Sequence, residues 1–204
     1  CENLSKSAKY IFESEWCSRE LVNQVNIEGN NCLTNACNEF KFHNVTCPEL
    51  VVYILESKWC SQELVNQVNK DGFNCLIIAC LRRDFENVKY ILESKWCNKE
   101  LVNQKNKYGL NCLKTCCFVH DLRIIKYILE SKWCSQELVN YVDKYGHNCL
   151  TDASCIYISE IAIYILESEW CNQKLVNQVV TEGEYIGHNC LMCACIKNLK
   201  LAKY

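Results

Sequence analysis

The chain has 204 residues, half of them apolar, with a formal net charge of −2. That length and composition allow one or two globular domains with a substantial core. The charge offers no basic field for a nucleic acid, and no apolar run approaches the ~18 residues of a membrane helix. Nineteen residues are cysteine. Many of them fall in helical patterns where a small apolar residue would serve. A reducing, intracellular compartment with buried free thiols is therefore expected rather than a disulfide framework.

The chain repeats itself. Residues 1–26 read as a half-repeat that contains "YIFESEWC" (10–17). Copies follow at about 26–68, 69–105, 106–142 and 143–183, and residues 184–204 read as a partial copy. Trp-Cys pairs start at Trp16, Trp59, Trp96, Trp133 and Trp170, spaced 43, 37, 37 and 37. Asn-Cys-Leu triplets start at Asn31, Asn74, Asn111, Asn148 and Asn189. Each follows a glycine: Gly29, Gly72, Gly109, Gly146, Gly187. Fixed periods of this kind mark a stacked-repeat architecture. The start and the finish share one phase of the repeat, so a piece of a longer array is expected.

One copy, 69–105, shows the expected elements in order. Asp71-Gly72 signals a turn. Asn74 stands at an N-cap, and Leu76, Ala79 and Cys80 form one apolar helical face. Arg82-Arg83-Asp84 breaks that helix. Val88, Ile91 and Leu92 mark a second one, with Trp96 one turn on. Asn98, like Ser61 and Ser135, is placed to cap a further helical turn through Leu101 and Val102. Neither main helix is long enough to stand alone in water, so each copy must stack on the next. "YILESKWC" reads as the inner seam of that stack, with tryptophan contributing a large buried area.

Two insertions interrupt the period. Six residues enter within 38–50, which holds the chain's only proline, Pro48. Proline suits the first turn of the second helix. Four residues enter near 181–184, in the connection after the fourth copy.

"NKDGFNCLIIAC", "NKYGLNCLKTCC" and "DKYGHNCLTDAS" resemble the ankyrin repeat. Glycine, leucine and the small Ala/Cys pair stand in register with its D-x-x-G-x-T-P-L-H-x-A-A phrase. Val88, Ile91 and Leu92 match its I-V-x-x-L-L. The copies depart from it in three ways. Asn-Cys replaces Thr-Pro, no glycine separates the helices (Arg83, His120 and Tyr157 stand there), and the unit is longer by four residues. Divergent, nearly self-identical repeats of this kind resemble those of large DNA viruses or protozoa, which would put the chain in host cytoplasm or a virion. The resemblance implies an all-α, ankyrin-type helical repeat solenoid acting as a scaffold or adaptor that binds another protein.

Positions that differ among copies are free of the stacking duty. They cluster at the glycine turns and at the ends of the first helices, places that line a concave binding face in ankyrin arrays. Phe73, Arg82, Tyr108, Phe118, Tyr145, His147, Tyr157 and Tyr185 are the candidate partner-binding residues. Aromatic and arginine side chains in one patch are what a binding hot spot favours. Self-association through the open repeat ends is the alternative.

No catalytic constellation, cofactor motif or metal-ligand spacing is recognisable. The recurrent C-x4-C pairs do not form a chelating hook. Cys116-Cys117 and Cys193/Cys195 are weak redox candidates, lacking a repeated cationic neighbour.

Overall fold

The computed structural model describes residues 2–38, 48–155 and 159–197. Fifteen helices and no strands occur among the described residues. The chain divides into two compact units, Cys1–Lys107 and Tyr108–Tyr204. The first holds α1 (Glu2–Glu13), α2 (Arg19–Asn23), α3 (Cys32–Asn38), α4 (Pro48–Glu56), α5 (Gln62–Asn66), α6 (Cys75–Leu81), α7 (Phe85–Glu93) and α8 (Lys99–Asn103). The second holds α9 (Cys112–Val119), α10 (Leu122–Glu130), α11 (Gln136–Val139), α12 (Cys149–Ser154), α13 (Ser159–Glu167), α14 (Gln173–Val176) and α15 (Cys190–Lys197).

Every full copy thus contributes a first helix, a second helix and a short third one. Each stacks on its counterpart in the neighbouring copy: α3 on α6, α1 on α4 on α7, and α5 on α8 in the first unit. In the second unit α9 packs on α12 and α12 on α15, while α10 packs on α13. The extra four residues of the unit are spent on the third helix.

Local chemistry sets the boundaries. Asn74 Oδ1 accepts from Ile77 N at 2.8 Å and starts α6. Arg83 ends it in the left-handed region, φ 59°. Asp84 N then donates back to Ala79 O, as in the helix stop that glycine usually provides. The Asp84 carboxylate accepts from Asn87 N and so caps α7. His120 and Asp121 repeat the device between α9 and α10. Pro48 opens α4 as its residue type suggests. The insertion at 39–47 lies outside the described residues.

The third helix is held from two sides. Asn31 Nδ2 donates to Leu64 O at 2.8 Å, and Asn74 Nδ2 to Leu101 O at 2.9 Å. Asn111 and Asn148 reach Leu138 O and Leu175 O in the same way. The neighbouring cysteine thiol donates to the valine carbonyl of the third helix that precedes it: Cys75 to Val65 and Cys149 to Val139. Leu64-Val65, Leu138-Val139 and Leu175-Val176 are therefore each tied by an asparagine of the preceding copy and by the cysteine that follows in the chain.

Tryptophan does not form the inner seam. Ile91, Leu92 and Cys97 are buried, as are Ile54, Leu55 and Cys60, but Trp59, Trp96, Trp133 and Trp170 are only half-buried. The indole follows the second helix and reaches sideways. Trp96 Nε1 donates to Leu55 O and Trp170 Nε1 to Leu129 O, both at 2.8 Å. A lysine ammonium lies 4.9 Å from the Trp96 ring centroid. A ring with one polar N–H satisfies that donor only at the margin of the stack, where a free carbonyl is in reach.

The glycine turns also stack. Lys70 N donates to Glu28 O, and Thr181 N to Tyr145 O, each at 2.9 Å. Gly146 sits at φ +85°, and a Cβ there would stand 2.6 Å from Thr181 N. Only glycine meets both demands.

Burial pushes the thiols up. Cys149 rises to about 12, and Cys37 and Cys117 rise well above the ordinary thiol range. Unfolded thiols ionise near pH 8.5, so the folded chain holds protons that the unfolded chain has lost. The stabilisation is complete below that value and drains away as pH rises toward the folded pKa. Each fully buried thiol adds a slope of about 1.4 kcal/mol per pH unit. Urea unfolding of the reduced chain is expected to be level from about pH 7 to pH 8 and to fall steeply by about pH 10. A level profile throughout would show that the thiols are already solvated in the folded chain.

Candidate interaction site

Lys114 is the departure around which the second unit is specialised. At its register the other copies carry Thr34, Ile77, Thr151 and Met192. Its side chain, 1% exposed, drops its ammonium among three acceptors: Asp152 Oδ2 at 2.8 Å, Asp143 Oδ2 at 3.0 Å and His147 O at 2.7 Å. Burial works to lower the ammonium pKa, but Asp152 and Asp143 together outweigh it and hold Lys114 charged. Three N–H groups meet three oxygens, the condition under which a buried cation is tolerated.

Asp143 does a second job. Its Oδ1 accepts from Tyr145 N and His147 N and shapes the turn. Asn26 and Asn69 play that part in other copies. A carboxylate stands here in place of the amide, and its second oxygen takes Lys114. Asp152 Oδ1 lies 3.3 Å from His147 Nδ1. The Asp152 carboxylate beside it raises the His147 pKa against the cost of burial.

These groups floor a cavity of about 290 Å3 lined by Leu110, Phe118, His120, His147 and Cys155 among others. Phe118 stands at its edge, 64% exposed, from the last turn of α9. Tyr145 projects from the neighbouring turn tip with the Lys144 ammonium 4.8 Å from its ring centroid. Tyr108, on the preceding turn, is also exposed.

The structure thus brings Phe118 and His147 into one cavity and puts Tyr145 in the same turn as His147. Tyr185 is half-buried on the following turn, edge-on to His188 at 6.1 Å. Phe73 and Arg82 belong to the first unit. Phe73 is half-buried beside Gly72, and Arg82 directs Nε and Nη2 to Asn38 Oδ1 at 3.0 and 2.6 Å. Tyr157 lies outside the described residues.

Sequence reasoning missed Lys114, Asp143, Asp152 and Cys155. The signal was present for two of them: a lone cation at an otherwise uncharged register, and a lone Asp at an Asn register. It also undervalued Cys193. That thiol falls to about 7, first through a hydrogen bond with Cys155 and then through His188 and His147, against burial and Asp152. Its context comes from three separate elements and not from any recurrent neighbour in sequence. Among the described residues no three His, Cys, Asp or Glu side chains form a metal-binding group, and no helix is long and apolar enough to cross a membrane.

No protein-family model matches the sequence, and no curated protein does. The fold has clear relatives among solved structures. The crystal structure of EF0377, an ankyrin repeat protein, matches 99% of this chain and 91% of its own, with a TM-score of 0.76 at 17% identity. The fold is that of an ankyrin repeat array. Against that fold the Asn-Cys pair takes on meaning. It occupies the Thr-Pro register of the ankyrin phrase and adds two side-chain donors, both spent on the third helix. The left-handed Arg83 and His120 stand where the family keeps glycine.

The Lys114 cluster allows a direct check. Lys114→Met leaves the Asp143 carboxylate and the partly exposed Asp152 without their cation and is expected to cost about 2–4 kcal/mol in urea unfolding. The triple change Lys114→Ile, Asp143→Asn, Asp152→Thr, which installs residues found at these registers in other copies, should recover most of that loss. A single change that costs nothing would show that the ammonium is solvated instead.

Proposed function

We propose that the chain is a protein-interaction module, binding a partner protein through the turn tips and first-helix ends of its repeats. Ankyrin repeats generally bind other proteins, and no catalytic step or cofactor enters this reading. The observation that carries it is the exposure of Phe118 at the edge of the cavity and of Tyr108 and Tyr145 on the turn tips of the same unit. These side chains stand at registers that differ between copies, whereas the invariant ones are committed to stacking. Rigid exposed aromatics beside a cavity are what a partner's anchor residues require. Among the eight sequence candidates, Tyr108, Phe118, Tyr145 and His147 form the centre, with Tyr185 and the 181–184 insertion at one side. The many high-pKa thiols suit a reducing compartment such as the cytoplasm.

The test is a pull-down from native cells with the intact chain beside a Tyr108→Ala, Phe118→Ala, Tyr145→Ala variant. A partner held by the first and lost by the second, with unchanged circular dichroism, supports the reading. Equal capture by both contradicts it.

A second reading is self-association. Tyr10, Ile11, Trp16 and Ile27 are exposed at one end of the first unit, and Trp16 is 82% exposed where Trp96 is half-buried and hydrogen-bonded. A concentration-dependent rise in mass on size-exclusion chromatography, abolished by Trp16→Lys and Ile27→Lys, would favour it over the first.

A further inference from the structure

Cys155 closes α12, and Cys193 lies on α15, the helix packed against it. The helix packing brings the two copies together there, and Cys155 is the neighbour that most lowers the Cys193 pKa. At the first register the other copies carry Asn38, Leu81, Phe118 and Ile196, and at the second Asn35, Ile78, Thr115 and Asp152. Sulfur therefore stands at both registers of adjoining copies only here. The pair is also asymmetric. Cys155 is half-buried and lines the 290 Å3 cavity, whereas Cys193 is fully buried behind it. Cys75 and Cys149 point at backbone carbonyls, and Cys117 borders the same cavity but is only 1% exposed.

We propose that Cys155 and Cys193 are a reversible dithiol–disulfide pair, which a small peroxide entering the cavity converts into a staple between α12 and α15. Cys155 passes its proton to the Cys193 sulfur, attacks the peroxide as a thiolate and becomes a sulfenic acid, and the departing hydroxide takes that proton back from Cys193 as one water. The Cys193 thiolate then attacks that sulfur. The S–O bond breaks, the S–S bond forms, and the departing hydroxide takes up the proton released from Cys193 as a second water. Two electrons pass from the sulfurs to the peroxide, and a dithiol reductant reverses the step by thiol–disulfide exchange.

The environment suits the division of labour. The attacked thiol must be reachable, and Cys155 is. The resolving thiol must be ionised without being exposed. Cys155 first, then His188 and His147 on the two turns, lower the Cys193 pKa, while burial and Asp152 oppose them. Cys155 ends its helix, so closing the contact to a bond moves a helix terminus and not a helix interior. The staple would close the chain between residues 155 and 193 and fix the wall of the cavity beside Phe118 and His147. The inference does not depend on the interaction reading.

The test uses the intact chain with Cys195→Ser, which removes the exposed neighbouring thiol. The protein is treated with stoichiometric hydrogen peroxide, alkylated, and mapped as non-reduced peptides. The expected result is one linked peptide joining Cys155 to Cys193, loss of two free thiols per chain, and full recovery with dithiothreitol. Cys37, Cys75 and Cys117 should remain reduced. Cys155→Ser, at a half-buried helix end, should abolish the link with circular dichroism unchanged. Cys193→Ser should leave Cys155 as a sulfenic acid trapped by dimedone. Oxidation elsewhere before this pair, or Cys155 running on to sulfinic acid with Cys193 still present, would overturn the proposal.

Discussion

The structure rests on a buried asparagine that makes three bonds at once. Asn74 is fully buried, yet its Oδ1 accepts from Ile77 N while its Nδ2 donates to Leu101 O and to Gln104 Oε1. The acceptor side starts the first helix of one copy, and the donor side seats the third helix of the next. A buried amide stripped of such partners would cost more than the helix it caps is worth. With them, it sets the register between copies, because Leu101 O and Gln104 Oε1 must both fall within reach. Asn31 repeats the pattern with Leu64 and Gln67. Where Tyr141 replaces the glutamine, the Asn111 contact to Leu138 O lengthens to 3.4 Å.

Around this tie the rest of "YILESKWC" and "LVNQ" becomes intelligible. The invariant serine bonds within its own helix, but the tryptophan and tyrosine reach across to a neighbouring copy. Trp96 Nε1 reaches Leu55 O, and the Tyr53 and Tyr164 hydroxyls reach Glu13 and Glu130. These bonds lie at the edge of the stack and each contributes modestly, about 1 kcal/mol. Their sum falls on the contact between copies, which is where a nearest-neighbour array draws its stability. Identity of sequence between copies is thus the imprint of identical contacts, and variation marks what remains free to meet other molecules.

Much of this was legible in the sequence. The 37-residue period, the glycine turn, the capping asparagine and the extra turn capped by Asn98 all follow from spacing and local chemistry, since each involves residues close together in the chain. The role of tryptophan was not. Apolar spacing suggests burial, but whether an indole turns inward depends on a carbonyl 41 residues away. The candidate site was legible in part. Phe118 and Tyr145 stand out as variable aromatics. The cluster beneath them joins Lys114, Asp143 and Asp152 from different elements, and the Cys155–Cys193 pair joins two copies. A charge is read as surface until a partner of opposite sign is placed beside it, and only the fold makes that placement.

The Asn74 side chain offers the most direct measurement. Asn74→Asp keeps an oxygen for Ile77 N but has no proton for Leu101 O or Gln104 Oε1, whereas Asn74→Ala loses both functions. If the asparagine ties copies together, urea unfolding should find the Asp variant destabilised at least as much as the Ala variant, by about 2–4 kcal/mol. An Asp variant within about 0.5 kcal/mol of the parent, with Ala alone impaired by about 1 kcal/mol, would show that Asn74 is a helix cap and nothing more.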